Sequence, residues 1–111
     1  MSFGLAKDNK FEIIATLREE LHKKTKLEVL CENHSVITQL EKIDFERFVI
    51  SGHEDIVPEK VQYFILHSES GIVKFSARFE QTLSAGAQAG LSYFIPDMYF
   101  LCPAMKKKQR V

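Results

Sequence analysis

At Lys26 the spacing of apolar residues changes from about 3.6 to 2, and this change constrains the fold of the chain more than any other feature. Before it, "NKFEIIATLREELHKKT" (9–25) places Phe11, Ile14, Leu17 and Leu21 at steps of three and four, one apolar stripe along a helix. Asn9 with Glu12 three residues later makes a capping box, and Lys23 and Lys24 bring positive charge to the carbonyl end of the helix dipole. After it, Leu27, Val29 and Cys31 alternate with Lys26, Glu28, Leu30 and Glu32, the pattern of a strand with one dry face. A helix must therefore pack on strands.

Further strands follow, separated by turns and loops. Asn33-His34 marks a turn, residues 36–43 and 47–51 read as strands around the bend at 44–46, and 52–60 is a polar loop broken by Pro58. Residues 61–67 and 72–80 form a hairpin about "SESG", with Val73, Phe75, Ala77 and Phe79 on one face and Lys74, Ser76, Arg78 and Glu80 on the other. "QTLSAGAQAG" (81–90) has no periodicity and reads as a small-residue connector, followed by "LSYFI" and "MYFLC" on either side of Pro96-Asp97. Strands that succeed one another without helical crossovers pair antiparallel, and a sheet of six or seven hides its edges by curling up. The expected fold is mainly β with one N-terminal helix, a small antiparallel, split-barrel-like β-barrel of six to seven strands.

With 111 residues the chain builds one modest core. It has no apolar run near the roughly 18 residues of a membrane span, and its N-terminus lacks the apolar region of a secretory signal. A cytoplasmic protein with free thiols at Cys31 and Cys102 is expected. The formal net charge of zero hides an asymmetry. Four of the 15 basic residues (Lys106, Lys107, Lys108, Arg110) lie in the last six positions, so residues 1–105 carry 11 basic against 15 acidic side chains, a net of −4. Such a body has no general attraction for nucleic acid, and anion binding is confined to the tail.

Little else in the chain suggests chemistry. His22, His34, His53 and His67 stand at no recognised ligand spacing, and "HED" at 53–55 reads as a solvated loop, so no metal is expected. Cys31 reads as a small core hydrophobe, and Cys102 before Pro103 has no fixed basic partner. "SAGAQAG" lacks the Lys-Ser/Thr ending of a phosphate loop. The nine Phe and three Tyr are interleaved with Ile, Val and Leu, as core residues rather than base-stacking platforms. No nucleophile, base and oxyanion donor come together, which argues against an enzyme. Lys106 and Arg110, four apart, are placed to clamp phosphates, or else form a solvated terminus.

The order of helix, strands, Ile95-Pro96 turn, apolar strand and basic cluster resembles the N-terminal, PilZN-type domain of YcgR-like flagellar brake proteins. The resemblance spans residues 11–111. It implies a barrel domain over 1–104 and, from 105, the start of a linker into a PilZ domain that is absent from these 111 residues. In that family the linker reads Arg-x-x-x-Arg, about nine positions past the proline, and helps bind cyclic di-GMP. Lys106, Lys107 and Arg110 fall where that motif belongs, with lysine in place of its first arginine. That exchange sacrifices a planar, two-pronged phosphate contact.

The resemblance therefore implies a non-enzymatic regulatory and interaction domain of a cyclic di-GMP effector, controlling motility or a related output through protein contacts. Its partners would be the following PilZ domain and flagellar motor or other output proteins, with no nucleic acid and no membrane span. Cyclic di-GMP is then a regulatory ligand, held weakly or not at all by this chain alone, and no cofactor is implied. The helix's polar side, with Arg18, Glu19 and Lys23, is an exposed candidate surface. The alternatives are a flavin-type split barrel and, third, a single-stranded nucleic-acid binder.

Overall fold

A computed structural model describes residues 5–69, 71–85 and 88–103. In chain order the elements are β1 (Leu5–Lys7), α1 (Lys10–His22), β2 (Lys26–Leu30), β3 (Ser35–Ile43), β4 (Arg47–Ser51), β5 (Val61–Ser68), β6 (Gly71–Ala85), β7 (Gln88–Phe94) and β8 (Tyr99–Pro103). All pairings are antiparallel. The sheet runs β1-β8-β6-β5-β2-β3-β4-β7, and a further β6–β7 pairing closes six of the strands into a barrel. β8 and β1 extend it to one side. The expected mainly β barrel with one helix is the fold observed.

Closure depends on the length of β6. Its first residues pair with β5 on one edge and β8 on the other, from Gly71↔Pro103 to Phe75↔Tyr99. From Phe79↔Tyr93, through a register shift between Phe79 and Gln81, the same strand pairs with β7 as far as Ala85↔Gln88. Such an irregularity sharpens twist and bend, so one strand can serve two sheets. The expected connector at 81–90 is thus corrected: residues 81–85 and 88–90 pair as strands. Their mostly small side chains carry no alternation, yet the backbone pairs regardless.

α1 is capped at Asn9, whose side chain accepts from the Glu12 N–H at 3.1 Å. It ends at His22, earlier than Thr25, because Lys23 caps it and Lys24 turns left-handed at φ 55°. The buried stripe also differs from expectation. Ile13, Ile14 and Leu17 are buried with Leu21 packed beside them, whereas Phe11 is 74% exposed. Phe11 and Ile13, two positions apart, point in nearly opposite directions at about 100° per residue, and Ile13 takes the core place beside Ile14 and Leu17. The missed strand β1 has three residues, too few to show a period.

The interior is aromatic at its centre. Phe48 stacks on Tyr93 with ring centroids 5.5 Å apart, Phe64 on Phe75 at 5.1 Å, and Phe64 meets Tyr93 edge-on at 4.9 Å. Of the buried polar side chains, Glu20, Gln62 and Ser92, Gln62 lies beside these rings and is satisfied there. Gln62 accepts from the Glu59 N–H (3.1 Å) and the Tyr93 hydroxyl (3.3 Å) and donates to the Leu30 carbonyl (3.1 Å). Burial, with Cys31 nearby, pushes the Tyr93 hydroxyl well above its ordinary value, so the ring stays neutral. Gly71, at φ 145°, takes a turn conformation closed to side chains, and a Cβ on Gly52 would stand 2.7 Å from the Ala89 carbonyl oxygen.

Among the described residues no helix is long and apolar enough to cross a membrane. Phe64→Ala is expected to lower stability by about 3–5 kcal/mol in urea unfolding, the range for a fully buried aromatic. Phe11→Ala should stay within about 0.5 kcal/mol, as befits an exposed position.

Candidate functional site

The barrel delivers the chain to its cationic end through β8. Ile95 donates its N–H to the Glu46 carbonyl at 2.9 Å and, with Pro96, is buried, while Asp97 and Met98 are exposed. The chain then enters β8, hydrogen-bonded to β6 on one side and β1 on the other. Tyr99 points inward and its hydroxyl lies 2.9 Å from Thr16 Oγ1, tying α1 to this last strand. The expected ligand residues Lys106, Lys107 and Arg110 lie outside the described residues. What is described is the rigid stem from which they continue.

Beside that stem is a cleft of about 430 Å³, lined by Val61, Ser76, Arg78, Phe94, Asp97 and Met98 among others. Two guanidinium groups sit over the Phe94 ring, Arg78 at 5.6 Å from its centroid and Arg47 at 5.9 Å. Their roles differ. Arg47 Nε donates to Glu80 Oε2 at 2.7 Å, and Glu80 Oε1 accepts from the Ser92 hydroxyl at 2.7 Å. The Ser92 bond and then Arg47 hold the Glu80 carboxyl below its ordinary value, and Glu80 raises Arg47 in return. Arg78 has no carboxylate partner among the described residues. It is a cation held against an aromatic face at the lip of the cleft.

This arrangement can recognise charge and a flat surface. Sequence reasoning listed Arg78 only on a wet face and missed Phe94, because register alone makes Arg47 and Phe94 neighbours on β4 and β7. The histidines are placed apart. His34 Nε2 meets the Asp55 carbonyl at 3.0 Å, His53 Nδ1 accepts from the Asp55 N–H at 3.0 Å, and His67 Nε2 meets Glu28 Oε1 at 3.0 Å. No group of three metal-ligating side chains forms among the described residues. Cys31 is half-buried against the core, and Cys102 is half-buried on β8. On the helix's polar side, Arg18 lies over Phe45 at 5.7 Å and Lys23 pairs with Glu19 at 3.5 Å.

A closed six-stranded barrel with an N-terminal helix, extended by a last strand after which the sequence turns basic, defines a helix-bearing antiparallel β-barrel domain. The chain belongs to the MrkH-like, YcgR-like domain family, whose family model matches residues 3–99. The resemblance to a PilZN-type domain is thereby shown.

Among solved structures the chain is similar to MrkH, described as a c-di-GMP-dependent transcription regulatory factor, with 34% identity over 95% of this chain and 44% of MrkH at a TM-score of 0.85. The complex of K. pneumonia MrkH with c-di-GMP matches at 34% identity over 94% of this chain and 46% of that one, with a TM-score of 0.83. The YcgR-N domain of Escherichia coli shares the fold at 12% identity, covering 87% of this chain and 94% of that domain with a TM-score of 0.77. The chain thus spans a little under half the length of MrkH. No curated protein sequence matches it.

Because Glu80 is depressed when folded, its contribution to stability is present above the ordinary 4.5 and is lost as pH falls through the lower folded value. Glu80→Gln should therefore lower the urea midpoint near neutral pH. Titrating both proteins downward, the gap from wild type is expected to close well below pH 4.5.

Proposed function

We propose that this chain is the N-terminal regulatory half of a cytoplasmic cyclic di-GMP effector and works through protein contacts rather than catalysis. The barrel is the rigid part; residues 105–111 form the start of a linker into a PilZ domain. Lys106, Lys107 and Arg110 contribute part of the dinucleotide site. The observation that carries this proposal is structural order: β8, paired on both edges and pinned through Tyr99, passes directly into a segment with four cations in five positions. The 34% identity to MrkH, a protein solved in complex with c-di-GMP, supports the same ligand class.

The physical logic is that of a hinge. Cations on a linker repel one another until phosphates gather them, and their capture then fixes the angle between the two bodies they join. Lysine at 106 makes this chain's share of the binding weaker than two arginines would. The chain alone is expected to bind cyclic di-GMP weakly or not at all.

The output has two readings. Control of motility through flagellar partners follows from the likeness to YcgR, which at 12% identity is a likeness of fold. A transcriptional output is favoured by the higher identity to MrkH. The net charge of −4 on residues 1–105 would direct any DNA contact away from this barrel.

Calorimetric titration of cyclic di-GMP into the 111-residue chain should give little heat. In a polypeptide extended through its PilZ domain, replacing Lys106 and Arg110 by alanine should weaken binding by about 100-fold, as expected for losing two charge-assisted contacts. Equal, tight binding by both forms would remove the linker from the mechanism.

A further inference from the structure

The outward face of the strands around β5 carries a group of apolar side chains set among polar ones such as Ser35, His67 and Ser76. Leu30, Ile37, Tyr63, Ile65, Ile72 and Phe100 all project there, with Ile37 52%, Tyr63 59% and Phe100 45% exposed. Because β8 pairs with the first part of β6, before the stretch that β7 takes, this face runs over five neighbouring strands, β3, β2, β5, β6 and β8. A contiguous apolar patch of this kind marks an interaction surface.

Two charges in the patch indicate what covers it. One row across the sheet, fixed by register, reads Ile37, Glu28, Ile65, Lys74, Phe100. The row is symmetric about β5: an apolar residue at each end, an acid on one side of Ile65 and a base on the other. Neighbouring strands lie about 4.8 Å apart, so the two charges stand at equal distances from the β5 line. A two-fold axis lying along β5 in the contact plane would set Glu28 of one copy on Lys74 of the other, and Lys74 on Glu28. The same rotation places Ile65 on Ile65, Tyr63 on Tyr63 and Ile37 on Phe100. Lys74 has no ion-pair partner among the described residues, and Glu28 accepts from His67 at 3.0 Å while its carboxylate can accept further bonds.

We propose that this face binds a second copy of the chain in an isologous dimer, with Glu28 and Lys74 paired reciprocally across the β5 axis. This arrangement does not depend on cyclic di-GMP. A foreign partner of one dominant charge fits the patch less well, because its two charges are of opposite sign and symmetrically placed.

The test is light scattering and sedimentation equilibrium on the 111-residue chain at concentrations up to about 0.5 mM, where a dimer with a dissociation constant near 0.1 mM is mostly assembled. The expected mass approaches twice 12.8 kDa. Lys74→Glu alone and Glu28→Lys alone should each weaken the dimer by at least about tenfold, since like charges then face each other. Mixing these two variants should restore dimers, because each then supplies the charge the other needs. Tyr63→Glu, at an exposed position that meets itself across the axis, should give a monomer with an unchanged thermal melt. A chain that stays monomeric throughout, its patch instead covered by another domain or protein, would overturn the proposal. So would a dimer indifferent to Tyr63→Glu and Lys74→Glu, or single variants that fail to associate when mixed.

Discussion

The rest of the structure depends on β6 changing partners along its length. Up to Phe75 it lies between β5 and β8; from Phe79 on, through the shift at Phe79–Gln81, it lies against β7. A straight strand would hold one neighbour on each edge and leave β7 as an open edge, with unpaired backbone groups exposed to pairing with other chains. The bend closes the six-stranded barrel and at the same time frees the first half of β6 to hold β8. The path by which the chain leaves the barrel is therefore set by the irregularity that closes it.

That geometry also divides the surface into two kinds. Where β4, β6 and β7 meet, outward positions carry a connected polar set, Arg47, Glu80 and Ser92, with Arg47 and Arg78 over Phe94. Glu80 there is depressed and Arg47 raised, each by the other and Glu80 also by Ser92, so this side is fixed by directional bonds. Around β5 the outward positions carry a group of apolar side chains, with Glu28 and Lys74 spaced between them. The inner faces of both sides share one core, so the difference lies wholly in the outward half of each alternation. A single period of 2 thus encodes a common interior and two unlike exteriors.

Legibility varied with the length and regularity of the signal. The hairpin of β5 and β6 was readable because eight successive pairs, Val61↔Arg78 to Ser68↔Gly71, keep strict alternation around a turn at Gly71. The Asn9 cap was readable because its hydrogen bond is local. Phe11 was misassigned because both it and Ile13 fit a three-to-four spacing toward Ile14 and Leu17, and only the sheet beneath the helix selects between them. Residues 81–90 lacked alternation because most of their side chains are small, yet the backbones of 81–85 and 88–90 continue the β6–β7 ladder. β1 has three residues and pairs only with β8, so nothing local announces it. The Arg78–Phe94 contact escaped notice because strand register alone creates it.

From the order of residues alone come one helix, the change of period at Lys26, an aromatic-rich core and a cationic end set on an acidic body, all of which depend on neighbours within a few positions. Only the tertiary structure decided which face of α1 is buried, where β6 exchanges one partner for another, and which outward side chains on separate strands share a surface. Those outcomes rest on contacts between residues tens of positions apart, such as Thr16 with Tyr99, whose meeting no local spacing specifies.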